Sequence, residues 1–287
     1  MRTVSFEQIV TAVESLCIHC AYELNKDVLT ALQQAHHRES NLRAKKILAQ
    51  LLENARLAER DRIPLCQDTG LAVVFVEPGS QVIVQPPDNN PSATIIDAIN
   101  AGIASGYEKG YLRKSIVAEP LNHRKNTGSN TPAVIHITPV PGDKINITLM
   151  AKGGGCENKS RSEMFKPTAD PDRILDWIID VVKTAGADAC PPFIVGVGLG
   201  GDFELCAILS KRALLRNIGL PSKDPFYAEM ETKLLERINA LGLGPQGLGG
   251  DTTALAVHIE TAPCHIASLP VAVNIECHSH RHKSAII

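Results

Sequence analysis

The sequence carries no excess of charge of either sign. Over 287 residues, 29 Lys and Arg stand against 31 Asp and Glu, a formal net charge of -2. That balance sets up no field that would draw a phosphate backbone or an anionic lipid surface, so neither nucleic acid nor membrane is an expected partner. Any anionic ligand must be held by a few placed cations. There is no run of about 18 apolar residues to serve as a membrane span. Met1-Arg-Thr-Val-Ser-Phe-Glu-Gln8 has an acid and polar side chains where the apolar core of a secretory signal would lie, so no signal peptide is expected. Internal repeats, low-complexity tracts and an obvious linker are also missing. What remains, 44% hydrophobic and 21% charged residues, describes an ordinary globular chain able to bury one large core or two smaller ones.

Cysteine is the abundant residue that needs a reason. Eight thiols in a chain this long, without a secretory leader, imply a reducing cytoplasm rather than a disulfide scaffold. They are then core residues, catalytic groups or metal ligands.

Residues 5–60 read as helices. Ser5-Phe-Glu-Gln8 fits a capping box, after which Ile9, Val10, Val13, Leu16 and Cys17 recur at helical spacing. A second helix starts near Asn25 and Asp27, and a third is striped by Ala44, Ile47, Leu48, Leu51 and Leu52 and ends before Pro64. Beyond Arg62 short β-rich runs alternate with helices and with Gly and Pro breaks. Strands are predicted at 71–76, 80–84, 133–137, 145–150, 193–197, 257–259 and 271–275, and helices near 93–110, 171–186, 203–216 and 225–240. Pro141-Gly142-Asp143 reads as a hairpin turn between two of these strands. The fold class is α+β (mixed α/β), a helical N-terminal subdomain over 1–61 followed by mixed sheets flanked by helices.

Several motifs have chemical and bland readings side by side. Cys17-Ile-His-Cys20 has zinc or redox spacing, but both thiols fall on or beside the apolar stripe of the first helix, so core packing is preferred. Gly196-Val-Gly198-Leu-Gly-Gly201 spells a dinucleotide-binding fingerprint after a strand, yet the ribose-binding acid is replaced by the turn Asn217-Ile-Gly-Leu-Pro221. Cys277-His278-Ser-His280-Arg-His282 offers metal donors; in a strand, Cys277 would face away from all three histidines, which are otherwise simply exposed. Lys152-Gly-Gly-Gly155-Cys156-Glu-Asn-Lys159 presents successive N–H groups able to hold a small carboxylate, or else is a tight turn with solvated lysines. Pro64-Leu-Cys66-Gln67-Asp68-Thr69-Gly70 puts a thiol, an amide and a carboxylate on one loop, and Ala189-Cys190-Pro191-Pro192 sets a thiol beside two residues without N–H donors.

Taken in order, Pro64–Gly70, Leu112-Arg-Lys-Ser115, Arg124-Lys-Asn-Thr-Gly128 with Asn130-Thr-Pro132, Lys152–Gly155, Asp188–Pro192, Gly244-Pro-Gln-Gly-Leu-Gly-Gly250, His258-Ile-Glu260, His265-Ile-Ala-Ser-Leu-Pro270 and Asn274-Ile-Glu-Cys277 resemble the alpha subunit of iron–sulfur (class I) fumarate hydratases and L-tartrate dehydratases. The resemblance covers nearly the whole chain as one alpha-type domain, 1–287, and is weakest before Arg62. It implies two sheet-containing lobes around a 4Fe–4S cluster held by Cys66, Cys190 and Cys277. Intervals of 124 and 87 residues between them are too long for spacing alone to suggest a cluster. The resemblance also implies Asp68 and His265 as catalytic groups, and Gln67, Asp68, Arg113, Gly155 and His265 as substrate contacts. Cys156 falls outside that ligand set, and Cys17, Cys20, Cys206 and Cys264 stay structural.

The implied reaction is the reversible hydration of fumarate to (S)-malate on a small dicarboxylate substrate. A beta subunit would supply the catalytic base and further substrate contacts in an alpha2-beta2 assembly. Tartrate dehydration is the near alternative, since Gly-Gly-Gly-Cys156 also looks like the tartrate form, and a mesaconate-type hydratase is a third. From other classes, a nucleotide-binding oxidoreductase would use the Gly196 motif, and a zinc-binding module would use Cys17 and Cys20 or the C-terminal histidines.

Overall fold

Ser5 closes the first helix as its sequence requires: its hydroxyl accepts from the Gln8 N–H at 3.2 Å, and the Gln8 side chain accepts from the Ser5 N–H at 2.9 Å. From that start the computed structural model, which describes residues 1–287, runs in chain order as follows. Strand β1 (Arg2–Ser5) leads into helices α1 (Phe6–Tyr22), α2 (Lys26–Arg38) and α3 (Leu42–Asp61). Then come β2 (Leu71–Pro78), β3 (Val82–Gln85), α4 (Ile95–Lys109), β4 (Val134–Ile137), β5 (Ile145–Lys152) and the single turn α5 (Gly154–Glu157). The chain continues through β6 (Arg161–Phe165), α6 (Pro171–Ala185), β7 (Phe193–Gly200), α7 (Phe203–Ala213), α8 (Pro225–Asn239), β8 (Ala254–Ala262), β9 (Leu269–Glu276) and β10 (His282–Ile286). This is the α+β class that the sequence predicts.

The chain divides into two units. The first comprises Met1–Leu24, Ala55–Gly153 and Arg281–Ile287, and the second Asn25–Asn54 and Gly154–His280. In the first, a four-stranded sheet has the order β10-β5-β2-β4, and β1 pairs parallel with β3. Helices α1 and α4 pack on each other and bury Ile9, Val13, Leu16, Ile99 and Ile103 against Val74, Val76, Ile147 and Leu149 of the sheet. Cys17 and Cys20 belong to this core, as their place on the apolar stripe predicts.

The expected hairpin at 141–143 does not form. β4 pairs parallel with β2, and β5 pairs antiparallel with β2, so β2 lies between two strands that are consecutive in sequence. The turn at Pro141–Asp143 is real, but it links strands that are not neighbours. Three short strands, β1, β6 and β10, were not expected; each has four or five residues.

The second unit is built on the order β6-β9-β7-β8. β7 is buried along all eight residues, and its alternation sorts them. Phe193, Val195, Val197 and Leu199 face a core shared with Ile174, Ile178 and Val182 of α6 and Leu234 and Ile238 of α8. Gly196 and Gly198 face α7: a Cβ on Gly198 would stand 2.0 Å from the Cys206 carbonyl, and one on Gly196 2.1 Å from that of Ser210. These glycines sit inside the strand and let a helix lie directly on it, so they do not form the phosphate-binding turn of a dinucleotide fold.

Candidate active site

In the first unit the loop 64–70 carries Cys66, Gln67 and Asp68, and buried groups on other segments hold it. The Tyr107 hydroxyl, reaching from α4, donates to the carbonyls of Thr69 at 2.9 Å and Gly70 at 3.0 Å. Burial pushes the Tyr107 phenol well above its usual pKa, so it remains a donor. Asn130, fully buried at a positive φ of 60°, donates to the Gly70 carbonyl at 3.2 Å and accepts from the Ser115 N–H at 2.7 Å. The Thr69 hydroxyl donates to the Arg113 carbonyl at 2.8 Å. One short segment therefore fixes the main chain beneath both the carboxylate of Asp68 and the exposed guanidinium of Arg113.

Asp68 is oriented from two sides. Its Oδ1 accepts from the Gly70 N–H at 2.9 Å, and its carbonyl accepts from Arg281 Nη1 at 2.7 Å. Its other carboxylate oxygen lies over Gly153, where a Cβ would stand in ordinary contact with Oδ2 at 3.5 Å. Cys66 is half-buried and donates from Sγ to Gln67 Oε1 at 3.2 Å.

In the second unit Cys190 and Cys277 come from different elements and meet through their neighbours. Cys190 is exposed and left-handed, with φ 54° and ψ 65°, just before the cis Pro191–Pro192 bond. For a residue with a side chain that conformation costs on the order of 1–2 kcal/mol, a kind of strain that concentrates at functional sites. Cys277 follows the last residue of β9 at 9% exposure. The His278 N–H donates to the Cys190 carbonyl at 3.4 Å. His278 Nδ1 lies 3.1 Å from that same oxygen and 3.1 Å from Gln246 Nε2, the imidazole tautomer selecting between them. Gln246 also donates to the Pro191 carbonyl from its main chain at 2.7 Å and from Nε2 at 3.0 Å. The two thiols are thus set on loops clamped by one glutamine and one histidine.

Gly155 lies exposed in α5, where a Cβ would come 3.3 Å from the Asp188 carbonyl. Lys159 pairs with Asp188 at 2.8 Å. Lys152, by contrast, is wholly buried, which corrects the reading of solvated lysines. His265 is exposed on the β8–β9 loop, where its Nδ1 accepts from the Ala267 N–H at 3.1 Å, leaving Nε2 to face solvent. The C-terminal histidines are not exposed either: His280 is 1% and His282 5% accessible, and His280 Nε2 donates to the Leu214 carbonyl at 2.7 Å. β9 ends at Glu276, so strand alternation does not govern the residues that follow. Of the four cysteines read as structural, Cys17, Cys20 and Cys206 are buried but Cys264 is exposed.

The sequence reading gave no role to Tyr107, Asn130, Gln246 or Arg281, and it offered His278 only as a metal donor, whereas the structure sets it against the Cys190 carbonyl and Gln246. Asn130 and Gln246 lie inside the quoted Asn-Thr-Pro and Gly-Pro-Gln-Gly motifs, which is the signal that was available for them. Arg281 lies inside the quoted Cys277–His282 segment.

The family model for fumarate hydratase (Fumerase) matches residues 10–286. The chain belongs to that family and is a hydro-lyase. It is 38% identical over 278 residues to a protein of Methanocaldococcus jannaschii assigned as an L(+)-tartrate dehydratase subunit alpha, covering 96% of this chain and 95% of that one. The L(+)-tartrate dehydratase subunit alpha of Escherichia coli O157:H7 is 33% identical over 263 residues, covering 91% and 84%. That of Shigella sonnei is 32% identical over the same span and coverage. No helix of the family member described here is long and apolar enough to cross a membrane.

Proposed function

We propose that this chain is the alpha subunit of an iron–sulfur hydro-lyase that hydrates fumarate reversibly to (S)-malate. The observation that carries the reading is the loop placement of the three family-pattern thiols, Cys66 between α3 and β2, Cys277 directly after β9 and Cys190 in a conformation that costs energy to hold. Their donor chemistry fits the group, because thiolates are the usual protein ligands of iron–sulfur clusters. Cys66, Cys190 and Cys277 would hold a 4Fe–4S cluster, which when bound supplies a Lewis-acidic iron for the hydroxyl group of a 2-hydroxy dicarboxylate.

The remaining work falls to the chain's own groups. Arg113, exposed and anchored through its carbonyl, binds one substrate carboxylate through its planar fork. The Gly155 N–H donates to the same dianion, and Gln67 hydrogen-bonds substrate. Asp68, fixed at Oδ1 by the Gly70 N–H, holds or moves a proton at its second carboxylate oxygen. His265 offers Nε2 to substrate or water. The base that takes the proton from carbon would come from a beta subunit in an alpha2-beta2 assembly, a partner that the relatives' designation as alpha subunits supports. On this reading residues 1–287 form one alpha-type domain, with 1–61 its helical start, working in a reducing cytoplasm.

L-tartrate dehydration is the second reading. The names of the relatives and the Gly-Gly-Gly-Cys156 turn favour it, whereas Leu112-Arg-Lys-Ser115, Asn130-Thr-Pro-Ala133 and Glu157-Asn-Lys-Ser160 favour fumarate. The test is to express the chain with its beta subunit, reconstitute iron and sulfide without oxygen, and compare malate and L-tartrate dehydration. Faster turnover of malate supports the first reading, and faster turnover of tartrate replaces it with the second. Protein that takes up neither iron nor sulfide overturns the cluster assignment.

A further inference from the structure

Cys156 is a thiol for which the proposed reaction has no use, although it lies beside one of the proposed cluster ligands. It is 4% exposed in α5, which packs against β9. Its Sγ, the Cys277 Sγ and a Glu276 carboxylate oxygen all lie within 4.8 Å of one another. β9 ends at Glu276, and the chain leaves the strand there, so two consecutive residues aim donors at one point instead of at opposite faces. Glu276 is wholly buried.

Two soft sulfurs and one carboxylate suit a thiophilic divalent cation. Zinc takes sulfur at about 2.3 Å and carboxylate oxygen at about 2.0–2.2 Å, which puts tetrahedral donors about 3.6–3.8 Å apart. Closing the present spacing by roughly 1 Å is within the reach of side-chain rotation about these bonds. Three protein donors leave a fourth position for water, a common zinc arrangement. A dication also offsets the negative charge that ionised thiolates and a carboxylate would bring into a buried place.

We propose that Cys156, Cys277 and Glu276 form a mononuclear site for a thiophilic divalent cation such as Zn²⁺ in the chain that has not yet received a cluster. The site shares only Cys277 with the proposed cluster ligands, so a bound ion and a cluster compete for that one thiolate. Cys156 is thereby what decides whether the unloaded chain captures a single ion.

Cobalt tests this, because thiolate-bound Co²⁺ gives sulfur-to-metal charge-transfer absorption. The full chain, purified without added iron or sulfide, is titrated with Co²⁺ under reducing conditions. The expected result is one Co²⁺ per chain with charge-transfer absorption, an affinity at least 10-fold lower in Cys156→Ser and Glu276→Gln, and no change in Cys66→Ser or Cys190→Ser. No thiolate absorption, absorption that survives Cys156→Ser, or absorption that requires Cys66 and Cys190 would overturn the proposal. Far-UV circular dichroism confirms that each variant is folded, and Cys156→Ala replaces the serine variant if that one is not. Iron and sulfide uptake by the wild-type chain is measured separately, so failure of the cluster reading is distinguishable from failure of this one.

Discussion

Arg281 donates from Nη1 to the main-chain carbonyl of Asp68 at 2.7 Å. The two residues are 213 positions apart, and the arginine is 1% exposed, the largest of the fully buried side chains. A guanidinium so placed is costly to bury and costly to lose, since removing it strands the acceptor it was serving.

Replacing Arg281 by Met is therefore expected to lower the unfolding free energy by about 2–4 kcal/mol. It should also reduce kcat/KM by loosening the loop that carries Asp68. Urea denaturation gives the first quantity and steady-state kinetics of the reconstituted enzyme the second; an unchanged urea midpoint would show that the contact contributes nothing net.

Tyr107→Phe removes one hydroxyl, taking a donor from the Thr69 carbonyl and leaving the Gly70 carbonyl with Asn130 alone. A loss of about 1–2 kcal/mol is expected by the same denaturation measurement. Because the hydroxyl supports the loop and never meets substrate, added phenol should not rescue activity.

Arg113→Lys keeps the positive charge and loses the two-pronged geometry. If Arg113 clamps a carboxylate, KM should rise roughly 10-fold or more, about 1.4 kcal/mol, with a smaller change in kcat. Equal KM values for both forms would remove Arg113 from the substrate contacts.

Stability should fall on acidification partly through His258. This residue is 2% exposed and its Nδ1 donates to the Ala213 carbonyl at 3.2 Å. Burial, with a smaller push from the Arg216 charge, lowers its pKa from 6.5 to about 4. The folded chain thus keeps His258 neutral where the unfolded chain protonates it, so stability is intact above pH 6.5 and lost as pH falls from 6.5 towards 4. The loss is on the order of 3 kcal/mol over that window. His258→Gln should flatten the pH dependence of the urea midpoint between pH 4 and 6.5.

A methyl group at Gly198 has no space against the Cys206 carbonyl. Gly198→Ala should cost about 3 kcal/mol or more. Thermal unfolding, monitored by circular dichroism, measures it.

Local rules made α1 legible: a cap at Ser5, its reciprocal partner at Gln8, and an apolar stripe that includes Cys17 all act within a few residues. The hairpin around Gly142 failed because a turn declares a change of direction and says nothing of which strand will be the neighbour; the pairing of β4 with β2 is decided across sixty residues. Gly196 and Gly198 satisfied a fingerprint whose spacing also suits a helix lying flat on a strand, and only the packing of α7 separates those causes. Cys66, Cys190 and Cys277 are proposed as ligands through ordered motifs, never through spacing. Arg281 stayed hidden because a charged side chain in a histidine-rich tail reads as solvated until its acceptor at Asp68 is placed.

The interleaving of the two units bears on the order in which the protein is made. The unit that contains residue 1 takes its edge strand β10, paired with β5, and its arginine at 281 from the far end of the sequence. The last residue of the other unit is translated at position 280. The portion translated first is consequently the last to be completed. Until then the long edge of β5 stands without β10, an open invitation to pair with another nascent chain.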